Sequence, residues 1–141
     1  GHTPLIHVPG PTSTEASVRV LQPNGMVLGL QIPGGIAKFE ELLEESCLSL
    51  GAGGLFVLFT DGITEAMNAE SDLFGEVRLS RLVEEHGQLP PEELRERVVR
   101  EIEAFVAGSE QHDDMTMILL KVQEERRSSA GPAEELIETH A

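Results

Sequence analysis

Asp61 closes one run of apolar residues, and Asp113 and Asp114 open another. Residues 55–66 read LFVLFTDGITEA, and residues 111–122 read QHDDMTMILLKV. Taken singly, each acidic corner has an ordinary explanation. Asp-Gly after an apolar run marks a turn, or an Asp that starts the helix of ITEAMN, and Asp-Asp before a strand is a solvated loop. Taken together they raise a different chemistry. If the two runs are neighbouring antiparallel strands, the end of one meets the start of the other on the same rim. Carboxylates gathered there repel one another unless a cation lies between them. Oxygen ligands without a His or Cys partner suit a hard divalent ion, Mg²⁺ or Mn²⁺, rather than zinc. His112 adjoins the acids, but no second His stands at a helical ligand spacing, so it is read as a solvent-facing or supporting residue. Gly62 lets the backbone turn sharply beside the carboxylate.

The elements that would position these acids follow from periodicity. LFVLF is short, rich in Val and Phe and fully apolar, which fits a buried strand, and MTMILLKV (115–122) is a second one. Two helices stand between them. RLSRLVEEH (78–86) places Leu79, Leu82 and Val83 on one face, with Gly87 as a stop. PPEELRERVVREIEAFVAG opens with Pro90 and Pro91 and carries Glu92 and Glu93 in its first turn, where the helix dipole favours anions. Its buried stripe is Leu94, Val98, Ile102 and Phe105, and Gly108 ends it. Earlier in the chain, PLIHV (4–8) and SVRVL (17–21) are short strands joined by a Pro/Thr/Ser/Gly loop. Residues 38–50, KFEELLEESCLSL, mix helical spacing at Phe39, Leu42 and Leu43 with alternation from Cys47 to Leu50. Strands close in sequence favour antiparallel pairing, so the class is α+β rather than a doubly wound parallel sheet. From Gln123 the composition turns to charge, Ser, Gly and Pro. Residues 123–141 therefore read as an acidic, flexible tail, with a helical turn at AEELIETH.

Composition narrows the function. A chain of 141 residues has room for one core. A formal net charge of −15 argues against nucleic acid and against an anionic membrane surface, and is read as solubility. The single cysteine, Cys47, forms no intrachain disulfide and no cysteine-rich zinc site, and is read as a small buried hydrophobe. No segment approaches the roughly 18 apolar residues of a membrane span, and no cleavable signal opens the sequence. A soluble, cytoplasmic protein is the expectation.

These residues also carry a resemblance. TDGITEAMN, then LFGEVRL, then a long amphipathic helix, then QHDDMTMILLKV is similar to the C-terminal half of the SpoIIE-type bacterial branch of the metal-dependent PPM (protein phosphatase type 2C-like) serine/threonine phosphatases. GHTPLIHVPG resembles that family's Ala-Gly-His-x-Pro stretch, and GMVLGL its Gly-x-x-Leu-Gly turn. The match runs in order over residues 1–122, which sets the expected domain.

The resemblance implies an αββα sandwich, two antiparallel sheets packed face to face with helices outside, here in an incomplete, N-terminally truncated version. It implies that 38–50 is mainly strand. It implies that Asp61 and Asp113 bind the catalytic metals of a two-metal Mn²⁺ or Mg²⁺ site, with Asp114 a neighbour. Water activated by the metals would hydrolyse phosphoserine or phosphothreonine, with no residue of the chain acting as covalent nucleophile. Glu65, Asn68 and Arg78 fall at family-like positions and are read as helix surface and local hydrogen bonds. The implied partners are a phosphorylated anti-sigma-factor antagonist and an upstream sensor or receiver domain. The family's other acidic motifs, Gly-Asp-x-x-Asp and Asp-x-x-Gly-His-Gly, precede the Ala-Gly-His region in which this sequence starts. The chain alone is therefore expected to bind Mn²⁺ poorly and to show weak or no activity. Two rivals stand beside this reading. A receiver domain also gathers acids around Mg²⁺, but its acidic pair follows the first strand, whereas here the pair precedes the last. A non-catalytic, phosphatase-like interaction module fits the partial ligand set.

Overall fold

In the computed structural model, which describes residues 4–11, 13, 17–22, 24–25, 34–49, 51–109 and 113–123, the two apolar runs are adjacent strands. The strands are β1 (Leu5–Val8), β2 (Arg19–Leu21), β3 (Leu55–Phe59) and β4 (Met117–Lys121). They form one antiparallel sheet in the order β2-β1-β3-β4. The helices are α1 (Gly35–Leu42), α2 (Asp61–Thr64), α3 (Glu76–His86) and α4 (Pro91–Val106).

Alternation along the strands sorts side chains to two faces. Ile6, Val8, Leu55, Val57 and Phe59 lie on the inner face and are buried. Leu79, Leu82 and Val83 of α3 and Leu94, Val98 and Ile102 of α4 cover them and complete one core. Within each helix the three positions have the spacing of a single helical face, as the sequence implies. Pro91 occupies the first turn of α4, where its missing N–H costs nothing, and the chain leaves that helix through a left-handed Ala107 with φ of 48°. The outer face is different. Leu58 opposes Ile118 and Phe56 opposes Leu120 in the β3–β4 register. Leu58, Ile118 and Leu120 are 40 %, 51 % and 55 % exposed, so the β3–β4 side of this face is an open apolar surface among the described residues, whereas His7 of β1, stacked on Phe56, is buried. A second layer of the sandwich would cover such a face.

Residues 38–49 depart from the expectation of strand, and Leu50 lies outside the described residues. Lys38–Leu42 belong to helix α1, and residues 43–49 form no regular element. Gly34, left-handed at φ 73°, starts the helix, which takes in Phe39 and Leu42 and stops before Cys47. α1 buries no residue, so no packing against the sheet was available to enforce an extended conformation. Cys47 is exposed rather than buried, because the segment carrying it lies outside the core. The AEELIETH turn, His112 and the GMVLGL stretch beyond Gly25 lie outside the described residues.

One cation ties the far end of β4 to the helical layer. The Lys121 ammonium donates to the carbonyls of Gly87, Gln88 and Leu89 at 3.1, 2.8 and 2.8 Å, capping the C-terminus of α3. The positive charge sits where the helix dipole is negative, although partial burial lowers the lysine pKa from its usual value. Lys121→Met keeps the apolar stem and removes the cap. It is expected to lower unfolding stability by about 1–3 kcal/mol, read by urea denaturation. An unchanged midpoint would show that the cap contributes nothing.

Candidate metal centre

Antiparallel pairing of β3 and β4 brings the acidic corners to one rim. The ladder runs from Leu55 opposite Lys121 to Phe59 opposite Met117, so the end of β3 and the start of β4 coincide. The pairing continues past the strands. Thr60 N donates to Thr116 O at 3.0 Å, and Thr116 N donates to Thr60 Oγ1 at 2.9 Å. The same hydroxyl donates to Asp114 O at 3.1 Å. Thr60 thus uses its side chain as both acceptor and donor, and holds the 114–116 backbone against the end of β3.

Gly62 makes the closest approach. It lies in the first turn of α2, and a Cβ built on it would collide with Asp114 O and stand 3.0 Å from the Asp114 carbonyl carbon. The glycine is therefore needed for contact and not for a sharp turn, since its φ is not positive. Asp61 is the first residue of α2. Its carbonyl accepts from Glu65 N at 2.7 Å and from Thr64 Oγ1 at 3.2 Å. Asp113 Oδ1 accepts from Asp114 N at 2.8 Å, which orients that carboxylate from within its own loop. Asp61, Asp113 and Asp114 are all exposed.

Oxygen donors from two exposed carboxylates on one rim have the chemistry that a hard divalent cation takes. Among the described residues no group of three or more His, Cys, Asp or Glu converges as a metal cage. The two acids would thus supply only part of a coordination sphere. Thr60 and Gly62 are the supports of this corner. Thr60 was not singled out by the sequence, where it reads as the residue at which the apolar run stops. A side-chain hydroxyl at the end of a strand, beside a carboxylate, was the signal available for it.

The other family-like positions take local roles. Asn68 Oδ1 accepts from Glu70 N at 3.1 Å and Asp72 N at 2.8 Å, closing the loop between Met67 and Leu73. The Arg78 guanidinium lies 4.2 Å from the Phe105 ring centroid and 5.6 Å from that of Phe74. Glu65 is exposed and lines a cleft of about 810 Å³ that begins at Gly62 and Asp113. Val98, Val99 and Ile102 of α4 wall this cleft on one side, with Leu73, Met115 and Met117 elsewhere around it.

Thr60→Val is nearly isosteric and removes both hydrogen bonds of the hydroxyl. It is expected to cost about 1–3 kcal/mol and to raise amide exchange at Thr116, whose N–H loses its acceptor. Unchanged exchange at Thr116 would refute the clamp.

No curated protein matches the sequence. Solved structures do. The SiaA-PP2C domain of Pseudomonas aeruginosa aligns with a TM-score of 0.67 at 20 % identity, over 85 % of this chain and 43 % of that one. The phosphatase domain of the cell fate determinant SpoIIE from Bacillus subtilis, in a Mn-presoaked form, aligns with a TM-score of 0.54 at 21 % identity, over 87 % of this chain and 48 % of that one. The chain thus spans about half the length of these domains, or less. At such identities the likeness establishes the fold, an incomplete version of the PP2C architecture. The family model for SpoIIE, stage II sporulation protein E, matches residues 1–123, and on that match over most of its length the chain belongs to the SpoIIE family.

Proposed function

We propose that this chain contributes to a metal-dependent protein serine/threonine phosphatase whose substrate is a phosphorylated anti-sigma-factor antagonist. Family membership supports the phosphatase class. The observation that supports the site assignment is the packing of Gly62 against the Asp114 carbonyl, where the end of β3 lies beside the start of β4.

In this reading Asp61 and Asp113 hold divalent ions, Mn²⁺ or Mg²⁺, as part of a two-metal site. Such ions, when bound, supply an acidified water and positive charge for phosphate oxygens. The chain's own contributions are positional. Thr60 fixes the Asp114–Thr116 backbone, Gly62 permits the close approach, and the Asp114 N–H orients the Asp113 carboxylate. With cations held by Asp61 and Asp113, the local charge would be reversed and this rim of an acidic protein would accept an anionic substrate. No side chain need act as a covalent nucleophile. An upstream sensor or receiver domain and a cytoplasmic location complete the proposal. Among the described residues no helix is long and apolar enough to cross a membrane.

The test is hydrolysis of a phosphoserine protein by the full-length protein. Release of phosphate that requires Mn²⁺ and stops on chelation with EDTA is expected, and metal-independent or absent hydrolysis would overturn the reading. A second reading, a non-catalytic interaction module, is favoured by the absence of a three-donor cluster among the described residues. Tight binding of two Mn²⁺ by the 141-residue chain in titration calorimetry would remove that alternative.

A further inference from the structure

The cleft beside the acidic rim is not used by the metal chemistry. It is lined mainly by apolar side chains and shares Gly62 and Asp113 with the rim. Two of its apolar residues are well exposed, Leu73 at 50 % and Val99 at 43 %. They come from different elements, the Met67–Leu73 loop and α4, and so form separate parts of one opening. Among the described residues that line it, Arg95 is the only cationic side chain, and Glu65, Glu103 and Asp113 supply the negative charge. Isolated exposed apolar residues need no explanation, but an apolar hollow of this volume next to a charged rim has the form of a binding site.

We propose that this cleft is the specificity pocket for the protein substrate, and that it takes an apolar side chain flanking the phosphorylated residue. The proposal rests on the phosphatase reading above. Its logic is continuity. A phosphoryl group delivered to Asp61 and Asp113 forces the neighbouring residues of the substrate onto the surface beside them. On the α4 side that surface is the cleft. An acidic flanking residue would meet Glu65 and Glu103, and a basic one would pair with those carboxylates but leave the apolar walls unfilled. An apolar side chain finds Leu73, Val99 and the α4 stripe, and gains the usual free energy of leaving water. The arrangement separates two tasks: the rim performs hydrolysis on any phosphomonoester, and the cleft selects which protein presents one.

The experiment compares kcat/KM of the full-length protein on a phosphoserine protein with that on p-nitrophenyl phosphate, which has no flanking residues to place. In Val99→Glu and Leu73→Glu the ratio of the two is expected to fall about tenfold or more, the effect of losing one well-fitted apolar contact. The control is Val77→Glu, on α3 at 85 % exposure and outside the cleft, which should leave the ratio at its wild-type value. A second arm varies the substrate: replacing the apolar residues flanking its phosphoserine with Asp should lower kcat/KM on the wild-type protein and much less on Val99→Glu. A ratio unchanged in both cleft variants overturns the proposal, as does a ratio changed equally by Val77→Glu. Wild-type protein inert on both substrates in Mn²⁺ would remove the phosphatase reading itself, and the specificity pocket with it.

Discussion

Alanine in place of Asp61 or Asp113 should reduce Mn²⁺-dependent turnover of the full-length protein by about a hundredfold or more, because each change deletes a carboxylate from the proposed metal site. Both side chains are exposed and neither packs in the core, so thermal unfolding should shift little. The two positions differ in one respect. Asp113 Oδ1 also accepts from the Asp114 N–H, so alanine there removes an internal hydrogen bond as well as a charge. Asp113→Asn retains an acceptor and removes only the charge. The asparagine variant should match alanine in lost turnover and stay closer to wild type in melting temperature. Wild-type turnover in either alanine variant would end the assignment of these residues.

The second large effect is expected at Gly62. A methyl group there meets the Asp114 carbonyl oxygen and carbon, which are backbone atoms and cannot rotate away. The Asp113–Asp114 segment must move, or α2 must. Overpacking of this kind costs about 1–3 kcal/mol. The functional cost should exceed the structural one. A displacement of about 1 Å in a positioning element can cost on the order of 100-fold in rate. Gly62→Ala is therefore expected to stay folded while losing most Mn²⁺-dependent activity, with KM for p-nitrophenyl phosphate moved less than kcat. A variant with wild-type kcat would show that the rim tolerates the shift and that the contact is incidental.

The parts of the molecule legible in sequence are those whose pattern and packing agree. LFVLF is apolar because alternate side chains of it fill the core, and α4 announces itself through Leu94, Val98 and Ile102, all of them buried. MTMILLKV, expected as a second buried strand, instead supplies β4, the edge strand among the described residues, which buries no residue fully and leaves Ile118 and Leu120 exposed. The meeting of the acidic corners followed from strand direction alone. Illegible were the features set by contacts between distant segments. Thr60 earns its role only when Asp114 and Thr116 lie beside it, 54 and 56 residues away. Gly62 looks like a turn residue until the Asp114 carbonyl is placed against it. In 38–50 two periodicities compete over a segment whose helix buries nothing, so no local signal could decide between them. Cys47, small and apolar, followed that segment out of the core.

The five-rung register between β3 and β4 has a consequence for how the molecule checks itself. A slip of one residue would carry Leu119 to the outer face and move the acidic start of β4 by about 3.4 Å along its neighbour. The register thus sets both which face Leu119 takes and where the two carboxylates stand. Because Ile118 and Leu120 are apolar as well, a slipped strand would still present apolar side chains inward, and the spacing of Asp61 and Asp113 at the proposed metal site would be the stricter reader of the alignment.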